Sequence, residues 1–173
     1  MSVLRPADLH GLAALLSSQQ HQEVVPPCWH WVLLLDPVVP ANLDEDGYVV
    51  GSPITPEPGM TRMFAGGRVR TICPLALSSE TSRTTKVASV TDKESRRGLL
   101  HFVTLRTTWS QNNQDCLIDE QDYVFLPARS VDPTPEGAGQ TDGDGFLVTE
   151  PLLVTFSALT ANPYRIHWDR DFC

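Results

Sequence analysis

The sequence predicts an α+β protein, with one complete unit and the opening of a second. Three observations carry that reading. Apolar residues recur at helical spacing near the N-terminus, and four later segments are rich in β-branched and aromatic residues between turn formers. A Pro/Gly/Asp-rich stretch then separates these segments from a last apolar run.

In chain order, "LHGLAALL" repeats Leu9, Leu12, Ala13, Leu15 and Leu16 at helical spacing, with Asp8 placed to cap a short helix. Next comes "QEVVPPCWHWVLLLDPVVP", an apolar run bracketed by Pro26, Pro27 and Pro37. Residues 40–61 are rich in Pro, Gly and acids and read as a long irregular surface excursion. Inside it, Asn42, Asp44, Asp46 and Gly47 are spaced like the opening of a calcium loop. Pro53 stands where such a loop needs its bidentate Glu, so a plain turn is expected. "MFAGGRVRTICPL", "SRTTKVASVTD", "LLHFVTLRTTWS" and "CLIDEQDYVFLP" then read as strands of a consecutive antiparallel sheet, complete by Pro127. Gly66 and Gly67 lack the downstream Gly-Lys of a phosphate loop and suit close packing or a bulge. The first unit thus spans 1–131, a linker 132–145, and the second unit begins in 146–173. "FLVTEPLLVTFSALT" reads as a strand, with 147–157 an unpaired edge that favours association.

A hydrophobic fraction of 41% with 20% charged residues fits a globular chain with a real core. A net charge of −8 argues against nucleic-acid binding, although a local Arg cluster can still hold an anionic small molecule. Cys28, Cys73, Cys116 and Cys173 are scattered, fitting neither a zinc site nor a disulfide framework, so no metal is expected and a reducing compartment is. No segment approaches the roughly 18 apolar residues of a membrane span. The N-terminus also makes a poor signal peptide. The expected location is the cytoplasm, with the mitochondrion open.

The last residues carry the most specific signal. "FSALTANPYRIHWDRDF" resembles the active-site segment of MaoC-like and type 2 hydroxyacyl-thioester dehydratases, whose fold is the hotdog, an antiparallel sheet wrapped on a helix. "PPCWHWVLLLDPVVP", "DGY" and "RMFAGGRVRTICPL" resemble the N-terminal hotdog of the itaconyl-CoA and mesaconyl-CoA hydratase group. The resemblance covers nearly the whole chain. It implies one complete hotdog plus the start of a second, catalytic-type hotdog that looks C-terminally truncated. The family's later H-G-P-like segment, expected to supply backbone N–H groups to the thioester carbonyl, is not in the sequence.

Aligned on "IHWD", His167 takes the family's catalytic His position and Asn162 the position that other branches fill with Asp. Tyr164 replaces a second His of that branch. The implied chemistry is hydration or dehydration across the α,β double bond of an acyl thioester. His167 would serve as general base and acid, and Asn162 would orient the water. No cofactor is needed; the substrate is a CoA or acyl-carrier-protein thioester.

Each residue also has a plainer reading. Asn162 before Pro163 makes a good helix N-cap, and His167 suits a hydrogen-bonded surface position. Arg165 can bind a CoA phosphate or bridge to Asp169 at i+4, the latter being favoured. Trp29, His30 and Trp31 can line an acyl pocket or fill core. Arg62 and Arg68 (and more weakly Arg70) are candidate contacts for ligand anions, with a solvated face as the alternative. Three functions follow as candidates: a hydratase for itaconyl-CoA or mesaconyl-CoA, a 3-hydroxyacyl-thioester dehydratase of fatty-acid synthesis, and a non-catalytic thioester-binding subunit. The expected assembly is a homo-oligomer or a complex with a partner hotdog.

Overall fold

The computed structural model describes residues 2–19, 22–96, 98–128 and 147–172. The proposed linker, 132–145, lies outside them. Strand β1 (Ser2–Val3) leads through a 3-10 turn (Pro6–Leu9) into helix α1 (His10–Leu15). Asp8 does not sit at the N-cap. It is the third residue of the turn, where its carboxylate accepts the Arg5 N–H at 2.9 Å.

Four long strands follow: β2 (Met60–Thr71), β3 (Glu80–Ser95), β4 (Gly98–Gln111) and β5 (Gln114–Pro127). All four fall where the β-branched segments placed them. Their pairing departs from a simple consecutive sheet, because the order is β1-β3-β4-β5-β2. β2 joins the far edge beside β5, and residues 72–79 carry the chain back to start β3. That crossing is tied down by side chain and backbone: Gln111 accepts the Ala76 N–H and donates to the Ala76 carbonyl, while Leu77 N–H donates to Glu23.

The buried core sits at one end of the sheet. Leu4, Leu9, Leu12 and Ala13 from the N-terminal turns meet Leu33, Leu75, Leu77, Trp109, Cys116 and Leu117. Leu4, Leu9, Leu33 and Leu75 are at most 2% exposed, and each such leucine contributes about 2 kcal/mol by leaving water.

Residues 147–157 are not a strand. Helix α2 (Glu150–Leu159) takes up all but the first three of them, capped by the Thr149 hydroxyl, which accepts the Leu152 N–H, with Pro151 in its first turn. Val148, Val154 and Thr155 favour a strand locally, but the cap and the packing of α2 on α1 decide otherwise. Leu159 lies so close to Gly11 that a Cβ there would meet its side chain at 2.6 Å.

β2 contains a bulge between Phe64 and Gly66, where Gly66 takes φ +147°, a conformation that favours glycine. Before it, Arg62 pairs with Phe125 and Phe64 with Tyr123; after it, Arg68 pairs with Glu120. Directly opposed residues share a face, so the two arginines point to opposite sides of the sheet.

Candidate active site

One face of the sheet, together with the 44–55 loop and the segment after α2, encloses a cavity of about 690 Å³. Alternate residues supply the sheet wall: Leu105, Thr107 and Trp109 from β4, and Asp119, Gln121 and Tyr123 from β5. The opposite wall is Asn162, Pro163, Tyr164, Ile166 and His167.

Asn162 is not a helix N-cap. Its backbone N–H closes the end of α2 by donating to Ser157, and a 3-10 turn starts only at Arg165 (Arg165–His167). Its side-chain oxygen accepts the Tyr164 N–H at 3.4 Å, which turns the amide nitrogen toward His167 Nε2, 2.9 Å away. With the amide donating, Nε2 is the acceptor and the ring proton lies on Nδ1. Burial disfavours the imidazolium, and the positive charge of Arg62 adds to this, so His167 titrates below the ordinary histidine value of 6.5.

Tyr164 stacks on Tyr48 with ring centroids 4.3 Å apart and meets the His167 ring edge-on at 6.0 Å. Burial and a hydrogen bond with Tyr164 push the Tyr48 hydroxyl well above its ordinary value, so it stays a neutral phenol. Tyr48 reaches this place because Asp44 accepts the Asp46 and Tyr48 N–H groups, a tight acidic turn as expected. Gly47, at φ +86°, lets that turn press on Pro163; a Cβ would collide with the Pro163 carbonyl oxygen. The Arg165 N–H donates to the Asp46 carbonyl at 2.8 Å and closes the same contact.

The sheet wall holds a second polar group. His30 Nε2 lies 3.4 Å from Asp119 Oδ2, and the same oxygen accepts from Trp31 Nε1 at 2.9 Å and Gln121 Nε2 at 3.1 Å. The Tyr123 hydroxyl donates to Gln121 Oε1 at 2.6 Å. Burial opposes charge on Asp119, but the hydrogen bonds from His30 and Trp31 and the pull of the imidazole outweigh it, so its carboxyl sits below the usual range. His30 is fully buried, edge-on to Trp109 at 4.8 Å, and its Nδ1 has no hydrogen-bond partner among the described residues.

Of the residues singled out in the sequence, Asn162, His167, Tyr164, His30, Trp31 and Arg62 come together in this cavity. Trp29 packs in the core and does not line it. Arg165 is held by Asp169 at 2.6 Å, the salt bridge expected from their spacing. Arg68 projects from the other face of the sheet, 58% exposed, and is neutralised by Glu120 and Asp122. Asp119, Gln121 and Tyr123 were missed. The sequence carried no clear signal for them, because residues 119–122 read D-E-Q-D and alternation alone does not say which of these face a cavity.

A curled antiparallel sheet packed against a short helix, with a half-enclosed cavity on one face, defines a hotdog-type protein. The hydroxyacyl-thioester dehydratase type 2 family matches residues 28–173, and the chain belongs to that family. It is 35% identical over 154 residues to the mesaconyl-C(4)-CoA hydratase of Chloroflexus aurantiacus, a match covering 86% of this chain and 55% of that protein. Among solved structures it resembles HtdX of Mycobacterium tuberculosis, with a TM-score of 0.58 at 18% identity over 96% of this chain and 61% of that one. A MaoC-like dehydratase gives 0.57 at 11% identity, covering 98% and 66%. A chain of the ChsH1–ChsH2 complex of Mycobacterium tuberculosis gives 0.53 at 12%, covering 78% and 85%. The structural likenesses establish the fold. The chain spans about half the length of its curated relative.

Proposed function

We propose that this chain supplies a hydratase/dehydratase site for an α,β-unsaturated acyl-CoA thioester, with His167 as general base and acid and Asn162 orienting the water. The carrying observation is the Asn162–His167 contact in a cavity otherwise walled largely by apolar and aromatic side chains. A water entering between the two takes over their direct bond, donating to Nε2 and accepting from the Asn162 amide. As its oxygen bonds to the β-carbon, its proton passes to Nε2, and the electrons of the double bond move onto the thioester as an enolate. The same proton then returns from Nε2 to the α-carbon, and the net change is the addition of one water. Dehydration is the reverse. A depressed His167 pKa keeps the base neutral at physiological pH.

Mesaconyl-CoA and itaconyl-CoA are the first substrates to try, given the name of the curated relative; a 3-hydroxyacyl thioester of fatty-acid synthesis is the alternative within the class. A thioester-binding subunit without activity is the alternative outside it. Two observations support assembly with a second copy or another hotdog. β2 is an open sheet edge among the described residues, and it exposes Met63 and Phe64. The 147–157 segment offers no such edge, being helical from Glu150.

The test is loss of enoyl-thioester absorbance with mesaconyl-CoA, itaconyl-CoA and crotonyl-CoA, using the wild type and His167→Ala. Hydration that disappears in the variant supports the reading. Binding without hydration favours the subunit alternative, and hydration that survives in His167→Ala overturns the assignment of the base.

A further inference from the structure

Among the described residues, the cavity holds a cation with no ion-pair partner, and its position relative to His167 suggests what it is for. Two arginines line the cavity, Arg62 and Arg83. Arg83 is satisfied, because its Nη1 contacts the Asp36 carboxylate at 2.9 Å and the Leu34 carbonyl at 3.3 Å. Arg62 forms no ion pair among the described residues. Of its N–H groups, one donates to a neutral acceptor, the Ile54 carbonyl, at 3.1 Å. The acidic residue in the cavity lining, Asp119, is engaged through its Oδ2 with His30, Trp31 and Gln121.

The guanidinium is nevertheless firmly placed. Its carbon lies 4.4 Å from the Tyr48 ring centroid, 5.1 Å from Tyr123 and 5.3 Å from Tyr164. Aromatic faces hold a cation by their quadrupole but do not cancel its charge. They also leave the edges of the fork free, and the edges are what a carboxylate engages, with two parallel N–H···O bonds. A half-buried, pre-positioned and unneutralised arginine is therefore set up for an anion that arrives with the ligand.

The place of that anion follows from Tyr164, which contacts Arg62 through its face and His167 at its edge. The arginine thus sits one aromatic ring away from the proposed base. A carboxylate attached within a few bonds of the reacting double bond spans that interval. The phosphates of CoA do not, because the pantetheine arm holds them far from the thioester.

We propose that Arg62 is the specificity-determining residue of this site, recognising a free carboxylate on the acyl chain and selecting short dicarboxylic acyl thioesters over neutral ones of equal length. This rests on the thioester reading above and narrows it to one substrate class. Arg62 acts on binding and orientation and carries no proton in the reaction.

The experiment measures equilibrium binding of succinyl-CoA and butyryl-CoA, which are equal in chain length, carry the same CoA and cannot be hydrated. It uses the wild type, Arg62→Gln and Arg62→Lys, each checked for folding by circular dichroism and thermal melting. The wild type is expected to favour succinyl-CoA by about 10–100-fold, as suits a charged hydrogen bond formed by one ligand and not the other. In Arg62→Gln the ratio falls to near one. In Arg62→Lys, which keeps the charge and loses the fork, it falls part of the way; if Arg62→Gln does not fold, the lysine variant decides. A ratio near one in the wild type, a preference that survives in the variants, a parallel loss of both ligands (the signature of a CoA-phosphate contact), or no binding of either overturns the proposal. A wild type that prefers succinyl-CoA yet hydrates no enoyl thioester removes the catalytic reading and leaves this one standing. Hydration without the preference does the reverse.

Discussion

Two histidines face the same cavity from opposite walls, and their settings differ in every respect that matters for chemistry. His30 is fully buried and joined to a carboxylate that is itself held by Trp31 and Gln121. His167 is less enclosed, and its partner is the neutral amide of Asn162. The first is held in place within a buried hydrogen-bonded cluster; the second has a neutral partner, and its lowered pKa leaves the ring unprotonated near neutrality. The sheet wall gives the cavity a hydrogen-bonded polar floor, and the C-terminal wall gives it a part-buried imidazole with a neutral partner.

The sharpest way to break this division is His167→Ala, which should lower kcat for enoyl-thioester hydration by about 10²–10⁴-fold. Thioester binding should stay within a few-fold of the wild type, and steady-state kinetics beside equilibrium binding check both. Survival of activity would move the chemistry to His30. Asp119→Ala should show the opposite profile, with stability falling by about 2 kcal/mol because one buried donor and two part-buried ones lose their acceptor. Denaturant titration measures this; a change below about 1 kcal/mol would mean that the floor is not structural.

Gly47→Ala acts on the contact that closes the C-terminal wall. With φ at +86° and the Pro163 carbonyl in the way, the substitution should cost about 1–2 kcal/mol and raise KM more than it lowers kcat. The pH profile sharpens the comparison further. Because His167 titrates below 6.5, kcat/KM should be level through neutrality and fall only as pH drops below that value. Its folded-state pKa is depressed, so the associated stability is present above 6.5 and is lost as pH falls through the folded value. Arg62→Gln should move the acid limb upward by removing the nearby positive charge. Smallest of all, Arg68→Ala should leave activity and thioester binding unchanged, since its charge is satisfied on the other face of the sheet.

Much of this was legible in the sequence, for physical reasons that differ by element. The strands declared themselves through β-branched residues between turn formers, a local property. The pairing of β2 with β5 did not, because strand order is a non-local choice. α2 was misread because Val148, Val154 and Thr155 outvoted Thr149 and Pro151 in a propensity count, whereas the cap and the α1 contact prevail in the fold. Asn162 and His167 stood out because "FSALTANPYRIHWDRDF" resembles the family's active-site segment, a local run of sequence that carries both. Asp119 did not, since nothing local ties it to His30, 89 positions away.

The single extra residue at the β2 bulge has a consequence of another kind. In an uninterrupted strand Arg62 and Arg68, both at even positions, would lie on one side of the sheet. The bulge acts as a half-turn of the strand, so one strand serves two environments and the two arginines answer to different neighbours. Substitutions elsewhere in β2 can alter either half without disturbing the other. Loss or gain of one residue near Ala65 is a different matter, since it would exchange inside for outside along half the strand. Length at this point is therefore more tightly constrained than side-chain identity, and a change in length here could redirect what the cavity accepts without altering any residue that touches the ligand.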